Sequence, residues 1–167
     1  SQVLPYGEPE YFTLKPETVV KQVSFTKGKL DILKSKWMDG TKTINGNQTL
    51  YFLHFTFGKE ISFHALLDKN SFPEESELYL INPTEKSWIG PYRKEFLKAE
   101  LPNFTGRLKA MEFIIEFTVP LTKDIQFPKI SIQNISSQSN KLDTVPHHFR
   151  NPDSTRENSI ILLTGYW

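Results

Sequence analysis

The sequence predicts an all-β fold, an antiparallel β-sandwich or jelly roll of roughly eight or nine strands. Short apolar runs recur along the chain, and turn residues separate them at intervals of about 8–12 residues. The 11 prolines fall between these runs, which favours many short strands over helices. The 13 phenylalanines supply large apolar side chains for the core of such a fold.

The composition bounds the domain count and excludes several classes of function. A chain of 167 residues suits one domain and can bury a core without disulfides or structural metal. The net charge of +1 offers no charged field for nucleic acid or for acidic lipid. Cysteine is absent, which excludes thiolate catalysis, disulfides and zinc sites with cysteine ligands. No apolar run approaches the ~20 residues of a membrane-spanning helix.

The N-terminal part is predicted to be an extended arm, residues 1–17, because it contains three prolines. We expect residues 18–167 to form a single β-sandwich domain. Alternating apolar residues in 19–25 indicate a first strand, and a further apolar group follows at Leu30, Ile32 and Leu33.

A two-sided apolar run, TLYFLHFTF at residues 49–57, predicts a central strand that is covered on both faces. Asn45-Gly46 precedes it and is a strong turn signal, because both residue types accept positive φ at low cost. Gly58-Lys59 follows it and leads into EISFHALLD at residues 60–68. We therefore expect a β-hairpin that turns at Gly58.

Further strands are expected in the second half of the chain. Residues 78–81 and 88–89 predict two strands joined by a turn at 82–86, and residues 96–101 predict a single helical turn. Residues 110–119 predict a strand that ends at Pro120. Its expected inward residues are Met111, Phe113, Ile115, Phe117 and Val119, with Glu112 and Glu116 on the solvent face.

The last part of the sequence predicts one more apolar strand around Ile130, Ile132 and Ile135. Residues 136–158 are polar and irregular and predict a flexible loop. The run SIILLT at residues 159–164 predicts a closing strand.

Two groups of histidines are candidate metal ligands. His54 and His64 would face each other across the predicted hairpin, but no carboxylate lies at a fitting spacing, which favours two ordinary strand residues. His147 and His148 lie near Asp153, but adjacent residues of an extended backbone point in opposite directions. We therefore predict no metal site and no cofactor.

Candidate catalytic residues are equally weak. No G-x-S-x-G motif and no glycine-rich phosphate loop occurs. Glu112 and Glu116 lie on one face of a strand at roughly 13 Å, too far apart for a retaining glycosidase pair, so a solvated face is favoured. We predict no catalytic residue and no enzymatic activity.

Trp88 and Tyr92 flank the second predicted turn and are the candidate ligand-binding residues, because exposed aromatic rings stack on sugars. The alternative is that Trp88 covers the edge of the core. Three N-x-[ST] sequons occur, at Asn47, Asn103 and Asn134, and in a eukaryotic secretory protein they would be glycan acceptors on surface turns.

Residues 37–120 carry an ordered set of motifs: Trp37-x-x-Gly40, LYFLHFTF at 50–57, LYLINP at 78–83, GPY at 90–92 and EFIIEFTVP at 112–120. In this order they resemble the non-catalytic N-terminal region, or pro-region, of secreted bacterial trypsin-like proteases of the lysyl-endopeptidase type. The resemblance covers about half of the chain, and its motifs are structural. The sequence departs from that pattern where Ala110-Met111 replaces the usual Gly-Asp, and the catalytic GDSGG is absent.

The resemblance implies a non-catalytic β-domain that is secreted or held in the cell envelope. It would act as a pro-region or accessory domain by binding a protein partner, a serine protease. Residues 1–17 or 136–158 would be extended segments that occupy the partner's cleft. The alternative function is a carbohydrate-binding or adhesin domain that uses Trp88 and Tyr92, and no nucleic-acid partner is expected.

Overall fold

A computed structural model of the protein describes residues 7–25, 27–122 and 124–136. Within these ranges nine strands form one open, mostly antiparallel sheet with little helix, which confirms the predicted all-β class. The finer assignment to a sandwich or jelly roll stays a prediction. The predicted loop at 136–158, apart from its first residue, and the predicted strand at 159–164 lie outside the described residues.

The strand order along the main path of the sheet is β2-β9-β4-β8-β5-β6, and β1, β3 and β7 also pair with β4. The strands are β1 Val20–Gln22, β2 Lys29–Ile32, β3 Thr41–Asn45, β4 Gln48–Leu67, β5 Glu77–Asn82, β6 Ser87–Tyr92, β7 Asn103–Phe104, β8 Leu108–Pro120 and β9 Ile130–Asn134. The helices are α1 Tyr11–Leu14 and α2 Lys34–Met38, with 3-10 turns at Lys69–Ser71 and Lys94–Phe96. The β1–β4 pair is parallel, and the other strand pairs are antiparallel.

Strand β4 is the centre of the sheet, because five other strands pair with its 20 residues. Its odd-numbered side chains from Tyr51 to Leu67, except that of the exposed Lys59, belong to the main hydrophobic core. Leu50 and Phe52 point the other way and belong to a second, smaller cluster. This alternation confirms the predicted central strand with two covered faces.

The predicted hairpin at Gly58 is wrong, because β4 continues through this residue. Both halves of β4 pair with the same strand, β8, and the register shifts between Thr56 and Ile61. Gly58 has φ of +80°, a conformation that glycine adopts at low cost. The glycine therefore marks an irregularity in one long strand and not a reversal of the chain. As a consequence His54 and His64 lie on one strand and do not face each other.

The second predicted hairpin is confirmed by β5 and β6, and the predicted strands at 110–119 and around Ile130 correspond to β8 and β9. One inward residue of β8 was predicted wrongly. The register between β4 and β8 shifts between Ala110 and Glu112. The core side chains of β8 therefore have even numbers up to Ala110 and odd numbers from Phe113 onwards. Met111 lies at this change and is half-exposed.

The main core is built around phenylalanine rings from β4 and β8. Phe113 is fully buried, and its ring centroid lies 4.8 Å from that of Phe63, 5.0 Å from that of Phe57 and 5.5 Å from that of Phe55. Aromatic pairs at these distances contribute stability beyond the area they bury. The two central strands are therefore joined by side-chain packing as well as by their backbone hydrogen bonds.

The Phe113→Ala substitution should lower the free energy of unfolding by about 3–5 kcal/mol, because it leaves a cavity among three rings. Met111→Ala, on the same strand but half-exposed, should change it by less than about 1 kcal/mol. Urea denaturation of both variants measures the difference. Similar losses for the two would contradict this description of β8.

Candidate functional site

The second face of the sheet is covered by residues 7–18 of the chain, which we call the strap. Tyr11, Phe12 and Leu14 of the strap pack against a buried cluster of side chains from β4, β5, β6 and β8, which are Leu50, Phe52, Tyr79, Ile81, Trp88 and Ile114. The ring centroids of Phe12 and Trp88 are 5.7 Å apart. The described part of the predicted N-terminal arm therefore lies on the sheet and includes the helix α1.

Glu116 lies beneath the strap, and its predicted position on a solvent face is wrong. It is only 1% exposed, because the strap covers this face of β8. Its two carboxylate oxygens accept hydrogen bonds from the backbone N–H groups of Glu10 and Tyr11, each at 2.8 Å. Burial raises the pKa of Glu116 to about 7, even though the two N–H donors act in the opposite direction.

His54 of β4 contacts the strap on one side and β8 on the other. Its Nδ1 lies 2.7 Å from the hydroxyl of Thr18, and its Nε2 lies within hydrogen-bond distance of a carboxylate oxygen of Glu112. The spacing argument missed this carboxylate, because His54 and Glu112 are brought together by the pairing of β4 with β8. A hydroxyl, an imidazole and a carboxylate in a row also occur in serine hydrolases, with the histidine nitrogens exchanged. Here the row joins the strap to the sheet.

Trp88 and Tyr92 are both buried, so the expectation of two exposed rings is wrong. Trp88 is 9% exposed, and its indole N–H donates to the Gly7 carbonyl at 3.0 Å. Tyr92 is 3% exposed, belongs to the main core and accepts a hydrogen bond from the N–H of Gly106. A sugar has no access to either ring face in this arrangement, and Trp88 covers the edge of the core, as the alternative interpretation had it.

The other histidine candidates do not form a site in the part of the chain that the structure describes. His64 stacks on Phe104 with ring centroids 4.6 Å apart, and burial lowers the pKa of its imidazole. His147, His148 and Asp153 lie outside the described residues. Among residues 7–25, 27–122 and 124–136, no three His, Asp or Glu side chains are grouped closely enough to hold one metal ion.

The three sequons differ in their accessibility. Asn47 is exposed and Asn134 is half-buried. Asn103 is buried, and its side-chain amide donates to the carbonyls of Lys98 and Leu101. Asn103 therefore has no free amide for a glycan in the folded domain, so not every sequon lies on an open surface turn.

An open groove of about 300 Å³ lies at one edge of the sheet. It occupies the place where the pairing of β3 with β4 ends, at Phe52, and the pairing of β1 with β4 begins, at His54. The floor includes Leu53 and His54, one wall comes from Val19 and β1, and the other wall comes from the turn between α2 and β3. The groove is therefore a gap between two short strands on the same side of β4.

Gly40 lets the α2–β3 turn approach β4 this closely. A Cβ atom at this position would lie 2.7 Å from the carbonyl oxygen of Phe52 and 2.6 Å from a methyl carbon of Leu53. Only a residue without a side chain fits that contact. Trp37, three residues earlier, anchors the same turn through an indole hydrogen bond to the Pro128 carbonyl at 3.0 Å.

The groove combines apolar and charged groups. Val19 is 74% exposed at one wall, where Lys21 also lies, and Lys36 and Asp39 line the opposite wall. Strand β1 has only three residues, all exposed, and among the described strands it pairs only with β4. A short, exposed strand of this kind at the edge of a sheet is a place where another polypeptide can add.

Comparison with known proteins finds no matching family model, no matching curated protein and no matching solved structure. Within the described ranges, no helix has the length and apolar character needed to cross a membrane.

Trp88→Ala and Tyr92→Ala should each lower the free energy of unfolding by about 3–5 kcal/mol, because both rings are buried. Phe96→Ala is the matched control on an exposed ring, and it should cost less than about 1 kcal/mol. Thermal unfolding followed by circular dichroism measures all three. Unchanged melting temperatures for the first two variants would restore the possibility of a sugar-binding surface there.

Proposed function

We propose that this chain is a non-catalytic, secreted binding domain that acts as the pro-region or an accessory domain of a secreted trypsin-like protease. It binds its protein partner through the groove between β1 and the α2–β3 turn. The observation that carries the proposal is this groove, which opens beside a three-residue strand at the edge of the sheet.

The geometry of the groove suits an extended segment of a partner protein. A peptide that pairs with a sheet edge satisfies its backbone hydrogen bonds there, and its alternate side chains enter neighbouring pockets. Val19 provides an exposed apolar side chain on the wall that carries β1, and Lys21 lines the same groove. The two lysines of the groove, Lys21 and Lys36, stand against one carboxylate, Asp39, and favour a segment with an acidic residue next to an apolar one.

The ionisable side chains on the second face make contacts within the chain, which suits a binding domain better than an enzyme. Glu116 holds backbone N–H groups of the strap, and His54 links Thr18 to Glu112. Each of these groups has a partner within the chain, in contacts that join the strap to the sheet. They act as attachments of the strap.

The assignment to a protease pro-region rests on the resemblance of residues 37–120 to that family. For residues 1–17 to occupy a partner's cleft, the strap would have to leave the sheet, whereas the groove is open without any rearrangement. The other segment expected to reach a partner, residues 136–158, lies almost wholly outside the described residues. Carbohydrate binding, the alternative, relied on Trp88 and Tyr92, and their burial gives it no support.

The immobilised chain should recover a trypsin-like serine protease from the secretome of the organism that produces it, and should itself hydrolyse no peptide substrate. Val19→Asp should reduce that recovery about tenfold or more, because the new carboxylate removes the apolar contact and repels the acidic residue of the partner segment. Leu101→Asp is the matched control, since Leu101 is exposed and does not line the groove. Mass spectrometry of the eluates measures the recovery.

Two outcomes would contradict the proposal. Failure to recover any peptidase with the unaltered chain would remove the protease partner. Equal recovery with Val19→Asp and Leu101→Asp would leave the partner but place its contact outside the groove.

A further inference from the structure

The groove separates two short strands that lie end to end along β4. Strand β8 pairs with residues 48–56 of β4, while β3 and β1 pair with 48–52 and 54–56, so both short strands lie on the side of β4 opposite β8. In the part of the chain that the structure describes, neither β1 nor β3 pairs with any strand other than β4. Their outer edges therefore follow one another along a single line, with the groove between them.

The pairing of β1 with β4 shows which backbone groups lie on the outer edge of β1. The N–H of Val23 donates to the carbonyl of Thr56, so the backbone groups of Val23 face β4. The N–H and C=O groups of a strand change direction from one residue to the next. Those of Val20 and Gln22 therefore face away from β4, towards a strand that could add there.

The same alternation applies to β3. The carbonyl oxygen of Phe52 faces this side of β4, since it is the atom that a Cβ at Gly40 would meet at 2.7 Å. Thr41 lies opposite Phe52 and faces it. The residues of β3 whose backbone groups face outward are therefore Lys42 and Ile44.

The exposed side chains along this line share one face of the sheet. Lys42 lies opposite Tyr51 of β4. Lys21 lies opposite Phe55, and both of these β4 residues belong to the main core. Ile44 is 57% exposed and is two residues from Lys42, so it points to the same face. The order along β4 is thus an apolar side chain, a lysine, the groove and a second lysine.

We propose that this composite edge, made of β3, the groove and β1, binds one extended segment of the partner in which apolar and acidic side chains alternate on one face. The inference rests on the proposed function and specifies the segment that the groove would take. A strand antiparallel to β3 runs parallel to β4 and to β1, so one unbroken strand can pair with both. It would run alongside residues 49–55 of β4, which is roughly 20 Å of extended chain.

This pairing fixes the chemistry expected at each position of a seven-residue segment. The first residue lies opposite Ile44 and should be apolar, and the third lies opposite Lys42 and should be acidic. The fifth lies over the groove, where Val19 is 74% exposed, and should be apolar. The seventh lies opposite Lys21 and should be acidic. All four have odd positions, so their backbone groups face the composite edge together.

The charges of the composite edge select an acidic segment over a basic one. Lys42 and Lys21 would stand directly opposite the third and seventh residues, where like charges are destabilising. Lys36 adds a third positive charge at the groove, and Asp39 is the only carboxylate among the described residues that line it. Lysines on an edge strand also discourage pairing with a second copy of the same edge.

A heptapeptide with acetylated and amidated ends, Val-Thr-Glu-Thr-Val-Thr-Glu, is the probe, and Val-Thr-Lys-Thr-Val-Thr-Lys is its matched control. The acidic peptide should bind the full chain about tenfold or more tightly than the basic one at low salt, as measured by fluorescence anisotropy. On binding, the amides of Lys42 and Ile44 should gain hydrogen-exchange protection by NMR, whereas those of β2, at another edge, should not. Equal affinity for the two peptides, or no binding of the acidic peptide at about 1 mM, would overturn the proposal.

Lys42→Glu tests the register, because it reverses one charge on an exposed side chain of β3. It should weaken binding of the acidic peptide about tenfold or more and tighten binding of the basic one. Lys98→Glu is the matched control, since Lys98 is exposed and lies outside the composite edge, and both affinities should stay within about twofold. Unchanged affinities for Lys42→Glu would show that the segment does not lie along β3.

The outcomes separate this inference from the proposed function. Recovery of a protease that Lys42→Glu leaves unchanged would keep the proposed function and remove the composite edge. Selective binding of the acidic peptide without recovery of any protease would keep the composite edge and remove the protease as its partner.

Discussion

The backbone pairing of β4 is the constraint on which the rest of the structure depends. This strand borders β8 and β7 on one side and β3, β1 and β9 on the other, so every layer of the domain is positioned relative to it. Its side chains alternate between the main core and the second cluster, which gives the sheet two apolar faces from one run of sequence. At the irregularity around Gly58 the register shifts, and β4 pairs with β8 on both sides of it.

Both faces of the sheet carry apolar side chains that must be shielded from water, and the strap shields those of the smaller cluster. Aromatic side chains fill the surface, and polar groups that would otherwise be buried without partners meet backbone groups of the strap. The edge groove arises from the same sheet for a different reason. Neither β3 nor β1 is long enough to cover the side of β4 at Leu53, so a gap remains between them.

Local sequence patterns predicted the class of the fold and several strands. The environments of Glu116 and Trp88 could not be predicted in this way, because they depend on contacts with residues far away along the chain. The turn at 82–86 was predictable, because Asn-Pro interrupts an apolar run and the strands that the turn joins, β5 and β6, pair directly on either side of it. Gly58-Lys59 carried an equally strong signal, but the strand continued because β8 was present along both halves. The dipeptide alone does not distinguish a bulge from a turn.

Glu116 and Trp88 show the same limit more sharply. Alternation placed Glu116 on the face opposite Phe113, which is correct, and water was expected on that face because no nearby sequence covers it. The cover comes from Glu10 and Tyr11, more than 100 positions away along the chain. Only a residue pairing read from the folded structure reveals that this carboxyl group is buried and that the indole of Trp88 is occupied.

The long separation between the strap and Glu116 also orders events during synthesis. The strap leaves the ribosome before β8, and because Glu10 and Glu116 are 106 positions apart, its docking surface is incomplete until β8 has emerged. Contacts of such high sequence separation form late, because the intervening chain must first be ordered. The growing chain therefore passes through a stage in which the strap has been made but its docking surface is incomplete, so a chaperone or a co-translated partner would meet Tyr11 and Phe12 before the sheet does.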